Sequence, residues 1–219
     1  MKLYWHTQKN NTRLILIFNG WGFDHRILNS LLVQQTDALL IYDYTIIDKE
    51  ALLSLPDYEQ VDLLAWSFGV FVANECASVL PTLKQCVAVN GTLTPVHDKY
   101  GIPPNIFYTT MHNYNEENKK RFAMRIAGGN TAYKVIQEQL PLRNAKEQLI
   151  ELAALEKRFH FHSKNILSWT KAVLSENDRV FPFSNMVSAW EKIDNVLITP
   201  IQGNHYIDFN LLVENLMSC

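Results

Sequence analysis

The chain has 219 residues, of which 47% are hydrophobic and 19% charged, with a formal net charge of −2. That length suits one domain with room for an inserted subdomain, and the apolar content supports a sizeable core and excludes a disordered chain. The charge gives no case for nucleic acid, and no uninterrupted apolar run approaches the length of a membrane span. Met1-Lys2-Leu3-Tyr4-Trp5-His6 shows no signal-peptide core, and three cysteines (Cys76, Cys86, Cys219) lack disulfide or metal spacing. A reduced, cytoplasmic protein is the expectation, acting as a monomer with no metal and no cofactor.

In chain order, the first strands are predicted at Lys2–Trp5 and Leu14–Phe18. The second opens into Asn19-Gly20-Trp21-Gly22-Phe23-Asp24, a glycine-bracketed turn. Such a turn can aim the Trp21 N–H into a cleft, or its glycines can simply supply permissive backbone angles. A helix is predicted over Asp24–Gln34, then a strand over Ala38–Tyr42.

Val61–Trp66 is an apolar run that stops at Ser67, with Phe68–Leu80 reading as a helix after it. A serine hydroxyl becomes a competent nucleophile when a sharp strand-to-helix turn lifts it toward a base. That turn crowds the positions two before and two after the serine, which here are the small residues Ala65 and Gly69. Phe68 would start the helix, where backbone donors are unpaired, so its N–H and that of Trp21 could form an oxyanion hole beside Ser67. A fifth strand follows at Gln85–Val89. Several of these runs are continuously apolar, the pattern of strands covered on both faces in a mostly parallel sheet.

From Leu93 to Lys164 strand signals vanish, and helices are predicted at Asn115–Ile126, Thr131–Glu138 and Ala145–Phe159. Asn144 is a suitable N-cap, with Glu147 as its capping-box partner. The expected division is a core of residues 1–92 and 165–219 with a helical lid of residues 93–164. The alternative is a set of ordinary peripheral helices on one core. Residues 93–164 hold eleven Lys and Arg against seven Asp and Glu; the remainder holds nine against fifteen. Lys119, Lys120, Arg121 and Arg125 form the tightest basic cluster. It reads either as steering for an acidic partner or as helix solvation.

Beyond the helices, Asn165–Leu174 reads as a strand ending in Ser175-Glu176-Asn177-Asp178. Phe183–Lys192 reads as a helix. Asn195–Thr199 reads as a last strand, ending in a loop with Gly203-Asn204-His205. An aspartate and a histidine thus each follow a late strand. Ser67, Asp178 and His205 form a candidate triad in the order serine, acid, base. Asp62 and Asp208 are the rival carboxylates. Trp66, Phe107, Tyr108 and Phe122 are candidates for lining an apolar pocket, and each also reads as ordinary core. His6, His25, His97, His112, His160 and His162 show no defensible ligand spacing, and Cys76 reads as core packing.

Asn19-Gly20-Trp21-Gly22, Ala65-Trp66-Ser67-Phe68-Gly69, Asp178 and Gly203-Asn204-His205 together resemble the α/β-hydrolase superfamily. More narrowly, they resemble the BioG type of pimeloyl-[acyl-carrier protein] methyl ester esterase, over nearly the whole chain. The resemblance implies an α/β-hydrolase fold and a serine carboxylesterase that frees pimeloyl-carrier for biotin synthesis, with an acyl-carrier protein as partner. The related BioH type carries His-Gly-Trp-Gly and Gly-Trp-Ser-x-Gly, where this chain has Asn19 and Ala65 in place of the histidine and the first glycine. Two other readings stay open: a thioesterase or small-ester carboxylesterase on the same scaffold, and a catalytically silent binding module.

Overall fold

The computed structural model describes residues 1–159 and 167–217. Its strands are β1 (Lys2–Thr7), β2 (Arg13–Phe18), β3 (Asp37–Tyr42), β4 (Gln60–Trp66), β5 (Gln85–Val89), β6 (Lys171–Ser175) and β7 (Leu197–Ile201). Its helices are α1 (Glu50–Leu53), α2 (Phe68–Glu75), α3 (Pro104–His112), α4 (Glu116–Ala127), α5 (Asn130–Val135), α6 (Ala145–Phe159), α7 (Phe183–Trp190) and α8 (Phe209–Met217).

The strands form one sheet in the order β1-β3-β2-β4-β5-β6-β7, parallel throughout except for the antiparallel pair β1–β3. The central strands are those with unbroken apolar runs. Leu14–Phe18, Ala38–Ile41 and Leu63–Ala65 are all fully buried. Residues hidden on both faces cannot alternate with polar ones, so these strands need helices above and below. The flanking helices supply that cover in an α/β-hydrolase arrangement.

Strand order reverses at β2. The chain leaves β2 for β3 on one side, and β4 lies on the other. Loops leaving β2 and β4 therefore diverge and open a crevice at the carboxyl ends of the strands, where open α/β sheets place ligands. The Gly20–Gly22 turn follows β2, and Ser67 follows β4. Phe18 is in register with Ala65, so the two loops begin side by side.

Several predicted elements differ from those observed. Asp24–Gln34 is not one helix. Asp24 caps a single 3-10 turn, His25–Leu28, and the rest of the segment is held by tertiary partners instead. The Leu32 N–H donates to the Asn210 side chain, Asn210 donates to the Ser30 carbonyl, and the Asn29 amide donates to the Glu138 carbonyl. The helix predicted over Phe68–Leu80 ends at Glu75 and continues as a 3-10 turn, Ala77–Val79, ahead of Pro81. Thr131–Glu138 is likewise α5 followed by a 3-10 turn at Gln137–Gln139.

The sixth strand begins only at Lys171, and Asn165 and Ile166 lie outside the described residues, as do His160 and His162. Thr170, just before β6, already pairs with both neighbouring strands through its backbone: its N–H donates to the Cys86 carbonyl and its carbonyl accepts the Leu197 N–H. Its hydroxyl donates to the Cys86 carbonyl and accepts the Cys86 N–H. Helices α3 and α8 were not anticipated. Both have start signals: Pro104 opens α3 after Pro103, and the Asp208 carboxylate accepts the Asn210 N–H at the start of α8.

Helices α3 to α6 lie between β5 and β6 in the chain. Phe107, Ile126, Leu152 and Leu155 share one buried cluster with the sheet. The capping box at α6 forms as the spacing predicts. The Glu147 N–H donates to Asn144 at 3.0 Å, and the Asn144 N–H donates back to Glu147 at 2.9 Å.

Candidate active site

Ser67 has φ 59° and ψ −127°, in the region that L-residues rarely adopt. The chain must turn there from β4 into α2 within one residue, and the strain lifts the side chain clear of the sheet. The turn is possible because its neighbours have no bulk. A Cβ at Gly69 would stand 2.3 Å from the Phe18 carbonyl oxygen and 2.5 Å from that of Asn19. A Cβ at Gly91, just past β5, would stand 2.2 Å from the Ser67 carbonyl oxygen. Gly20 has the same role from the other side, because a Cβ there would meet the Trp66 ring at 2.7 Å. Of the two turn glycines, only Gly22 has a positive φ, at 80°.

His205 Nε2 is 3.0 Å from Ser67 Oγ, and His205 Nδ1 is 2.7 Å from Asp178 Oδ2. All three side chains are buried. Asp178 also accepts the backbone N–H groups of Val180 (2.7 Å) and Phe181 (3.0 Å) on Oδ1, which fixes its plane. Phe181 stacks parallel to the imidazole, and Trp66 packs on it at 5.3 Å between ring centres. The Trp66 indole N–H donates to the His205 carbonyl. An imidazole held between a carboxylate and a hydroxyl can take the hydroxyl proton while the carboxylate stabilises the resulting cation.

The rival carboxylates lie elsewhere. Asp62 is buried in β4, ion-paired with Arg13 at 2.6 Å. Asp208 binds Asn210.

The Phe68 and Trp21 backbone N–H groups have no protein acceptor among the described residues. Both residues line the same cavity as Ser67 and His205. The cavity beside Ser67 is narrow, with a volume of about 30 Å³. Among the described residues, Ser67, His205, Thr110 and Arg125 supply the hydroxyl, imidazole and charged side chains of its lining. Trp66, Phe107 and Phe122 belong to its wall, with Ile102, Ile106, Ile126, Leu152 and Val180 added by the structure. Tyr108 does not. It packs edge-on against Phe107 and donates its hydroxyl to Glu156. The signal for Ile106 lay in α3, whose Pro-led start puts Ile106 and Phe107 one turn before Thr110.

The basic cluster is divided. Arg121 is exposed and paired with Glu117, and Lys119 lies 3.6 Å from Glu116 while donating to the Arg143 carbonyl. The Ala145 N–H, with Lys119 nearby, holds the Glu116 carboxyl below its usual pKa. Arg125 lines the chamber, and Lys120 lines a neighbouring hollow that shares Trp21 and Phe122 with it. Arg143, counted in the basic surplus, is buried on Glu151. Cys76 is buried at the end of α2, where burial pushes its thiol up to about 11. Among the described residues, no helix is long and apolar enough to cross a membrane.

Two anchors escaped the sequence. Asn90, buried after β5, ties the Asp178 and His205 loops together, and Glu151 with Gln148 binds the Gly20–Gly22 turn. Only the second had a local signal. Gln148 and Glu151 fall on the stripe of α6 that carries Ala145, Leu152 and Leu155.

The chain is 37% identical over 204 residues to a malonyl-[acyl-carrier protein] O-methyltransferase from Bacteroides fragilis, matching 92% of this chain. It spans only 41% of the length of that relative. The crystal structure of BioG from Haemophilus influenzae superposes with a TM-score of 0.83 at 31% identity, covering 95% of each chain. An esterase from Exiguobacterium antarcticum shares the fold at a TM-score of 0.70 and 15% identity, over 99% of this chain and 94% of its own. The family described as "Pimeloyl-ACP methyl esterase BioG" matches residues 1–213, and the chain belongs to that family.

Proposed function

We propose that this chain is a serine carboxylesterase that hydrolyses the methyl ester of pimeloyl-[acyl-carrier protein], releasing methanol and the free pimeloyl-carrier. The observation that carries this reading is the hydrogen-bonded sequence Asp178–His205–Ser67 opening onto an apolar chamber. The family's description supplies the substrate class.

In this mechanism His205 Nε2 takes the proton of Ser67 as Oγ attacks the ester carbonyl. Charge gathers on the carbonyl oxygen, and the N–H groups of Trp21 and Phe68 receive it. Methanol leaves with the proton from His205. Water, deprotonated by the same nitrogen, then attacks the acyl-enzyme and frees the acid.

A run of methylenes matches the wall, which is made mostly of apolar side chains. Helices α3 to α6 serve as the lid over Ser67, with α3, α4 and α6 each contributing wall residues. Of the four basic residues of α4, the exposed Lys120, Arg121 and Arg125 meet an acidic acyl-carrier protein, with the half-buried Lys119 behind them on the Arg143 carbonyl. Arg125 stands where the chamber wall meets that surface.

The test is a substrate panel: the carrier-bound pimeloyl methyl ester, the free methyl ester, carrier-bound acyl thioesters and p-nitrophenyl esters. The reading requires that kcat/KM be highest for the carrier-bound methyl ester. Faster cleavage of thioesters would make the enzyme a thioesterase.

A further inference from the structure

The turn that carries the Trp21 N–H has glycine on both sides, at Gly20 and Gly22. Glycine imposes little preference of its own, so the direction of that N–H must be set by contacts from outside the turn. Helix α6 supplies them. Glu151 Oε2 accepts the Gly22 N–H at 3.1 Å, and the Gln148 side-chain amide donates to the Gly22 carbonyl at 2.9 Å. The Gln148 backbone carbonyl accepts the Trp21 indole N–H at 2.6 Å. The other Glu151 oxygen accepts the Tyr44 N–H at 3.0 Å, and the Tyr44 hydroxyl donates to the Asn19 carbonyl at 2.8 Å. The turn is therefore gripped at both ends.

Glu151 is fully buried, and Gln148 nearly so. A buried carboxylate is costly unless it is paired, and an apolar residue would fill the same helix face at no such cost. Here the charge is met by Arg143 Nη1 at 2.5 Å, with Arg143 Nη2 held by Asp43 at 3.2 Å. Both side chains reach the same backbone turn at Gly22, although Gln148 also accepts the Tyr114 hydroxyl.

We infer that Glu151 and Gln148 are positioning residues of the esterase: they hold the Gly20–Gly22 turn so that the Trp21 N–H points at the oxyanion. They act through Trp21 and touch no reacting atom. With Ser67 taken as the nucleophile, as proposed above, the helix that covers the chamber is also the part that keeps the oxyanion hole assembled. Loss of either grip lowers transition-state stabilisation and leaves ground-state binding of the ester nearly unchanged.

The test uses the full chain, with Glu151→Gln and Gln148→Leu as variants. Labelling of the parent at Ser67 by a fluorophosphonate is located by mass spectrometry. Each variant is then measured for kcat, KM, the inhibition constant of an alkyl trifluoromethyl ketone and the thermal midpoint. The ketone forms a tetrahedral oxyanion on serine, so its affinity reports the hole directly. Expected are a kcat about 10- to 100-fold below the parent, KM within about threefold, and a ketone affinity that falls in step with kcat. Gln148→Leu keeps the carboxylate and its Arg143 pair, so it remains a test if Glu151→Gln fails to fold. A labelled parent with both kcat and ketone affinity unchanged in a folded variant overturns the positioning role alone. A parallel loss of kcat, KM and thermal midpoint in both variants overturns it in favour of a purely structural role. An unlabelled parent overturns both this inference and the serine mechanism.

Discussion

Asn90 donates its side-chain amide to the backbone carbonyl of His205 at 3.0 Å, so the end of β5 holds the loop that presents the imidazole. The same side chain donates to Ser175 Oγ and to the Asn204 carbonyl, and it accepts the Ser175 N–H at 2.7 Å. Asn90 itself has φ 46°, a conformation asparagine tolerates better than most residues. Replacing it with alanine leaves buried polar groups unpaired. Asn90→Ala should cost about 2–4 kcal/mol and lower the melting temperature by about 10 °C. Calorimetry together with kcat on a p-nitrophenyl ester checks this, and a folded variant with both values unchanged would remove Asn90 from the account.

Asp178→Asn should reduce kcat about 10⁴-fold while KM changes little, because the amide can no longer hold Nδ1–H and stabilise the imidazolium. Asp208→Asn touches only the start of α8. It should keep parental kcat and change stability by no more than a few tenths of a kcal/mol, roughly, because asparagine caps a helix about as well as aspartate. Steady-state kinetics on both variants decides the acid; an active Asp178→Asn beside an inactive Asp208→Asn would reassign it.

Gly91→Ala places a methyl group 2.2 Å from the Ser67 carbonyl oxygen. Backbone cannot yield to it without moving the serine. The variant should lose about 100-fold or more in activity, although residue 91 touches no substrate in the proposed mechanism. The rate of fluorophosphonate labelling reads the displacement, and a parental rate would show that the turn can relax.

Asp37 supplies a pH test away from the site. Burial works to raise its pKa, but hydrogen bonds from the Lys9 N–H, Asn11 and the Tyr58 hydroxyl outweigh it and hold the carboxyl below its usual value. Burial and the same carboxylate push the Tyr58 hydroxyl up to about 12. Because the folded pKa of Asp37 is depressed, the folded chain binds fewer protons there than the unfolded one. Its stabilisation is present above the unfolded pKa and is lost as pH falls through the folded value. Asp37→Asn should therefore be less stable than the parent at pH 7, and the gap should narrow on acidification below about pH 4. Urea unfolding across that range checks the sign; a gap that widens would contradict it.

That Ser67, Asp178 and His205 would come together was legible in the sequence because each follows an apolar run, and parallel strands bring their carboxyl ends to one edge. What distinguished Asn90 and Glu151 was long-range. Asn90 reaches Ser175 and His205 across the sheet, and Glu151 reaches Gly22 and Tyr44 from a helix far along the chain. A glutamate on a helix reads by default as solvated, and only its place on the buried stripe of α6 argues otherwise. Helix limits failed for a related reason. Segments such as Ser30 to Leu32 find hydrogen-bond partners on Asn210, which no local pattern announces.

Methanol release from the pimeloyl-carrier methyl ester, compared between the parent and Ser67→Ala at matched concentration, decides whether Ser67 is the nucleophile. With Ser67 as nucleophile, the parent turns over many times and the folded variant runs below about a thousandth of its rate. A variant retaining more than about a tenth of the parental rate would contradict Ser67 as the nucleophile.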